Sequence, residues 1–101
     1  MYARVVTAQI APDRMDEAIR IWRESQQPVL EQQRGWKSLE LLIDREANTA
    51  LIVSVWETEA DLKAVGVGSP FWQEHFAHFA ALLITAPSVE RYHVALDARG
   101  S

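Results

Sequence analysis

The sequence predicts an α+β fold in which four antiparallel strands carry two helical regions, and three observations predict it. Runs of period-two apolar residues at Tyr2–Ala11, Trp36–Asp44, Ala50–Trp56 and Val89–Asp97 enclose two stretches of helical spacing, giving the order strand, helix, strand, strand, helix, strand. Between the second and third strands only the polar Arg45-Glu46-Ala47-Asn48 intervenes, which is short enough to make that pair an antiparallel hairpin. The stretch Ala50–Thr58 is apolar on both faces, with Leu51, Val53 and Val55 on one and Ala50, Ile52, Ser54 and Trp56 on the other. Such a strand needs cover on both sides, yet the chain has helical sequence for one layer only. A second copy of the chain is the simplest second cover.

The first strand alternates Arg4, Val6, Ala8 and Ile10 against Ala3, Val5, Thr7 and Gln9. Pro12-Asp13 ends it, and Asp13 is the expected N-cap of a helix whose first turn carries Asp16 and Glu17, favoured there by the helix dipole. Met15, Ala18, Ile19, Trp22, Gln26, Val29, Leu30 and Gln33 follow the spacing of one helical face. Pro28 lacks a backbone donor and predicts a kink or restart at Gln27-Pro28, and Gly35 ends the region. In the second strand Leu39, Leu41 and Ile43 face one way, and Trp36, Ser38, Glu40 and Leu42 the other. Leu39, Leu41 and Ile43 are expected to join Leu51, Val53 and Val55 on the face left bare by the helices. Asn48 is the expected positive-φ residue of the hairpin.

Thr58-Glu59-Ala60-Asp61 has the form of a capping box and opens a short helix broken by Gly66-Val67-Gly68. Ser69 then caps a new helix with Pro70 at its first position, and Phe71, Trp72, His75, Phe76, Phe79, Leu82 and Leu83 cluster on one half of it up to Ala86-Pro87. Gly66–Ser69 is expected to be a mobile joint beside a pocket entrance. The last strand is expected to run to Asp97, with Ala98–Ser101 frayed. Two βαβ-like halves joined by a hairpin make the ferredoxin-like βαββαβ arrangement. Two such sheets packed face to face would make a dimeric α/β barrel.

The 101 residues suffice for one domain with a modest core. With no cysteine the chain has no disulfide, no thiolate nucleophile and no Cys-based metal site. Ten basic against fourteen acidic residues, interspersed, give a net charge of −4, which disfavours nucleic acid as a partner. No run approaches 18 apolar residues and the N-terminus enters a strand directly. A soluble cytoplasmic protein without a membrane partner is expected. No Ser-His-Asp constellation, phosphate loop or paired-carboxylate motif is visible, so acyl transfer, phosphoryl transfer and glycoside hydrolysis have no support.

Leu51-Ile52-Val53-Ser54-Val55-Trp56-Glu57-Thr58, then Ser69-Pro70-Phe71 and His75, together with Gly35-Trp36 leading into Leu41-Leu42-Ile43-Asp44, resemble the antibiotic biosynthesis monooxygenase family of dimeric α/β barrels. The resemblance covers about residues 2–97. It implies a homodimer and a ligand held between sheet and helices, and in members that oxidise polyketide quinols it implies oxygen chemistry without metal or flavin. The haem-degrading branch of the family uses an Asn, a Trp and a His. Here the corresponding positions are Val6, Val65 and His75, so two of the three are lost.

His75 is the candidate catalytic base, expected to be neutral and to face a cavity near Trp56; the alternative is a core histidine satisfied by one hydrogen bond. Trp56, Phe71, Trp72, Ser54 and Val65 are the candidate substrate-binding residues, the tryptophans serving either as walls for a flat aromatic ligand or as core. Thr7, Gln9, Arg91, Tyr92 and His93 are strand polar groups that could orient a ligand if they face the helices. His75 and His78, three apart, could share a metal with Glu74 or His93, but no metal or cofactor is expected. Two functions are compatible with these residues: a cofactor-independent monooxygenase of a phenol- or quinol-like aromatic, or a non-catalytic ligand-binding or accessory barrel.

Overall fold

In a computed structural model, which describes residues 1–100, the chain folds as β1 (Tyr2–Gln9), α1 (Met15–Ile21), a π-type turn (Trp22–Gln26), α2 (Gln27–Glu31), β2 (Trp36–Asp44), β3 (Thr49–Trp56), α3 (Glu59–Ala64), α4 (Pro70–His75), α5 (Ala77–Ala80) and β4 (Ser88–His93). The strands form one antiparallel sheet in the order β2-β3-β1-β4. This is the ferredoxin-like topology, in which the outer strands are reached by crossing over the covered face.

One face of the sheet is core. Val6, Ala8, Ala50, Ile52 and Trp56 are buried against Met15, Ala18, Trp22, Leu30, Leu62 and Phe79 from the helices. Burial alternates along β1 and β3 with the strand period, so the pleat carries the sequence pattern directly into the layer arrangement.

The register corrects the expected membership of the other face. Leu41 lies opposite Ile52, and Ile43 opposite the buried Ala50, so Leu39, Leu41 and Ile43 belong to the helix side, where they pack against the core. Residues directly opposite share a face of the sheet. The uncovered face therefore carries Leu42–Leu51–Thr7–Ser88, Glu40–Val53–Val5–Glu90 and Ser38–Val55–Ala3–Tyr92 as three rows across the strands. A register shift between Trp36 and Ser38 adds Lys37 as an extra residue and brings Trp36 opposite Trp56, on the helix side instead of with Ser38.

Helix ends depart from expectation for local reasons. Asp13 does not cap α1; it takes φ 64° in the turn, and Arg14 occupies the cap position without a side-chain capping bond. Pro28 sits in the first turn of α2, and the π-type turn just before it absorbs the missing donor. That helix ends at Glu31, four residues before Gly35 (φ 81°). Asn48 takes φ 54° at the hairpin, where Asp44 Oδ1 accepts from the backbone N–H of Glu46 and Ala47.

Thr58 and Ser69 cap α3 and α4, accepting from Asp61 N and Trp72 N at 3.1 Å each. The last helical region is interrupted at Phe76 and ends at Ala80, well short of Ala86. Beyond it the chain turns, and Leu83 forms a single bridge with Ile10 that ties this stretch to the end of β1. β4 stops at His93, four residues short of the expected end at Asp97, and Leu96 is 85% exposed. Ala98–Gly100 have no regular structure, and Ser101 lies outside the described residues.

Candidate functional site

A cavity of about 650 Å³ opens between the β1–β4 side of the sheet and the segments around α3 and α4. Arg4, Val89 and Arg91 contribute from the strands, Leu62 and Lys63 from α3, Gly66 and Val67 from the break, and Trp72 and Phe76 from the α4 region, with Ala86 and Pro87 closing it. Its aromatic wall is preformed, because Trp72 and Phe76 are one turn apart and stack at 4.2 Å between ring centroids with 21° between planes.

Arg4 is the residue that sequence reasoning missed. It sits on the core face of β1, only 3% exposed, and its guanidinium lies 5.2 Å from the centroid of Trp72. Its Nη1 donates to the carbonyl of Val65, the residue that ends α3, whereas its buried Nε has no partner. Burial pushes the pKa of the guanidinium down from its ordinary value to about 10. The signal was present in the sequence: a charged residue alternating in step with Val6, Ala8 and Ile10 must be buried, and a buried charge needs a reason.

The predicted site residues separate into two groups. Trp72 lines the cavity. Trp56 is fully buried and donates its Nε1 hydrogen to Ser54 Oγ at 3.0 Å, so these two satisfy each other inside the core. Val65 is also buried, and its contribution near the cavity is the backbone oxygen held by Arg4.

Phe71 and His75 pair on a neighbouring side of α4, ring centroids 4.5 Å apart, and neither is among the cavity-lining residues. His75 Nε2 lies 3.9 Å from Glu74 Oε2 with the side chain 29% exposed, and the His75 carbonyl accepts from the buried Gln26 side chain. Among the strand polar groups, Arg91 stands opposite Arg4 and His93 opposite Tyr2, which puts both on the helix side; Thr7 and Tyr92 belong to the uncovered face. Among the described residues no three His, Asp or Glu side chains gather as a metal site. No helix is long and apolar enough to cross a membrane.

Comparison with known proteins places this geometry in a wider group. The family model described as antibiotic biosynthesis monooxygenase matches residues 1–65. No curated protein matches the sequence. Among solved structures, a Streptomyces coelicolor monooxygenase in complex with nanaomycin D superposes with a TM-score of 0.81 at 16% identity, covering 99% of this chain and 92% of that one. A Bordetella bronchiseptica protein, described as a candidate antibiotic biosynthesis monooxygenase, gives a TM-score of 0.80 at 19% identity over 94% of this chain and 97% of its own. A Nitrosomonas europaea protein of unknown function gives 0.78 at 16% identity, over 99% and 94%. At these identities the likeness is one of fold.

Proposed function

Because the chain belongs to the antibiotic biosynthesis monooxygenase family, we propose that it is a monooxygenase whose substrate is a small phenol- or quinol-like aromatic held in the cavity beside Trp72. The observation that carries this reading is the stacked Trp72–Phe76 wall, a flat apolar surface exposed to a cavity of ligand size. In an anthrone-type substrate a ring CH2 becomes C=O. One atom of O2 enters the product and the other leaves as water. The step starts by removing a proton from the substrate, and no metal or flavin is required in this proposal. His75, three residues along α4 from Trp72, is the proposed base, and reaching the substrate requires its ring to leave Phe71 and turn toward the cavity.

The working unit is proposed to be a homodimer joined through the uncovered sheet face. Leu51, Val53, Val55, Val5 and Leu42 form an apolar strip there, and a specific interface typically covers about 800 Å² per partner.

The test is oxygen uptake with an anthrone or a quinol, followed together with thermal stability. With the anthrone, wild-type protein should consume oxygen and form quinone and water without added metal or flavin; with the quinol, the expected product is the hydroxylated quinone and water, and the simple quinone with hydrogen peroxide would count against oxygen insertion. His75→Ala and Trp72→Ala should each lose that uptake, with His75→Ala retaining the wild-type melting temperature. A second reading, a binding or accessory barrel, draws on the groups that border the cavity: Arg4, Lys63 and Arg91 are all basic side chains suited to holding an anion. Binding of aromatics without any oxygen uptake would leave that reading standing.

A further inference from the structure

The unexplained feature of the cavity is its charge. The chain carries a net charge of −4, yet every charged side chain lining this cavity is positive. Arg4 and Arg91 are direct cross-strand partners on the same face of β1 and β4, and like charges so placed repel each other. Lys63 is tied to Glu59 at 2.7 Å, but among the described residues neither Arg4 nor Arg91 has a carboxylate within salt-bridge distance. Arg4 is 97% removed from solvent, so its charge is largely stripped of bulk hydration.

The geometry of the guanidinium says what would. Nη1 is spent on the Val65 carbonyl and the plane lies over Trp72, leaving the side-on edge formed by Nε and Nη2 without a hydrogen-bond acceptor. That edge is a two-donor fork whose spacing matches the two oxygens of a carboxylate. An apolar ring attached to such a carboxylate falls next to Trp72 and Phe76, since the ring carrying the fork also forms the start of the aromatic wall.

We propose that the cavity takes an aromatic carboxylate, with the carboxylate on the Nε–Nη2 edge of Arg4, Arg91 facing it from the neighbouring strand, and the ring against Trp72. This deepens the monooxygenase reading, since it names the substrate class of the same cavity and rests on that cavity being the substrate site. The protein thereby discriminates between aromatics of equal size by charge. A neutral arene leaves the Arg4 edge unpaired, and an anionic one satisfies it.

The experiment is binding, measured by tryptophan fluorescence and calorimetry, of 2-naphthoate and its neutral near-isostere 2-naphthamide. Wild-type protein should bind naphthoate roughly tenfold or more tighter than the amide. Arg4→Met should abolish that preference, chiefly by weakening naphthoate, and Arg4→Lys, which keeps charge without the fork, should restore only part of it. Equal binding of the two probes by wild-type protein overturns the proposal, and this comparison needs no variant to fold. An Arg4→Met protein that keeps the preference overturns it too. Naphthoate binding that depends on Arg4, with no aromatic supporting oxygen uptake, would remove the monooxygenase reading and keep the anion site. Oxygen uptake that is indifferent to substrate charge and to Arg4 would do the reverse.

Discussion

Trp56 donates its indole hydrogen to Ser54 Oγ, two residues earlier on the same face of β3, and both side chains are fully buried. A strand places residues i and i+2 side by side on one face, so the bond closes locally and a polar pair can sit in the core without outside help. Ser54→Ala therefore orphans the indole N–H. A loss of about 1–3 kcal/mol is expected, lowering the melting point by roughly 4–8 °C per kcal/mol for a domain of this size. Affinity for an aromatic in the cavity should not change, because neither residue borders it. Thermal unfolding with a binding titration on the same variant checks both halves.

Gly35 and Gly68 both have left-handed backbone, at φ 81° and φ 88°, but only one is crowded. A Cβ at Gly35 would come within 2.1 Å of Asp61 Oδ2, whereas at Gly68 it would meet nothing within 4 Å. Gly68→Ala should cost the backbone penalty alone, about 1–2 kcal/mol. Gly35→Ala should cost clearly more, because Asp61 belongs to the first turn of α3 and cannot retreat without disturbing it. Urea unfolding of the two variants side by side gives the comparison, and equal losses would mean that the Asp61 contact carries no cost.

Strand alternation made the sheet and its covered face legible in the sequence, because period two converts directly into burial along β1 and β3. Which face of β2 joins them was not legible. It depends on register, and Leu39, Leu41 and Ile43 are equally apolar whichever side they take. The extra residue at Lys37 likewise has no sequence mark. Trp72 was readable as a possible wall, but the separation of Trp72 and Phe76 from Phe71 and His75 on α4 comes from how a six-residue helix docks. Arg4 was visible as an anomaly in an apolar pattern, and reading it required asking what pays for a buried charge.

The corrected face sharpens the expectation for self-association. Val53 lies at the middle of the row Glu40–Val53–Val5–Glu90, with a carboxylate two strands away on one side and one strand away on the other. Val53→Asp puts a charge into the apolar strip and directly opposite Glu40, an unfavourable cross-strand pair. Light scattering should show wild-type dimer and a variant at the 11.5 kDa of one chain. Leu41→Asp, by contrast, should unfold the protein instead of dissociating it, because Leu41 packs against the core. A wild-type monomer at micromolar concentration would sink the interface.

Arg4 should cost the folded protein stability that ligand restores. Its guanidinium, pushed down by burial to about 10, is charged at neutral pH and is not paid back by a carboxylate. Arg4→Met removes that desolvation and forfeits the hydrogen bond to the Val65 carbonyl, so a net gain of ~1–2 kcal/mol at pH 7 is expected. The sign with pH follows from the lowered value. The folded state binds the proton less tightly than the unfolded one, so the wild-type penalty is complete below about 10 and fades as pH rises through it. The advantage of Arg4→Met should accordingly stay level from pH 6 to 9 and shrink above that window. Naphthoate at a hundredfold excess over its wild-type dissociation constant should add ~2.7 kcal/mol to the wild type but only ~1.4 kcal/mol to a variant that binds it tenfold more weakly, closing most of the gap between them. Urea unfolding at each pH, with and without naphthoate, measures all of these. A variant that is less stable than wild type at pH 7 while still folded would show that Arg4 is held for packing and not for a ligand.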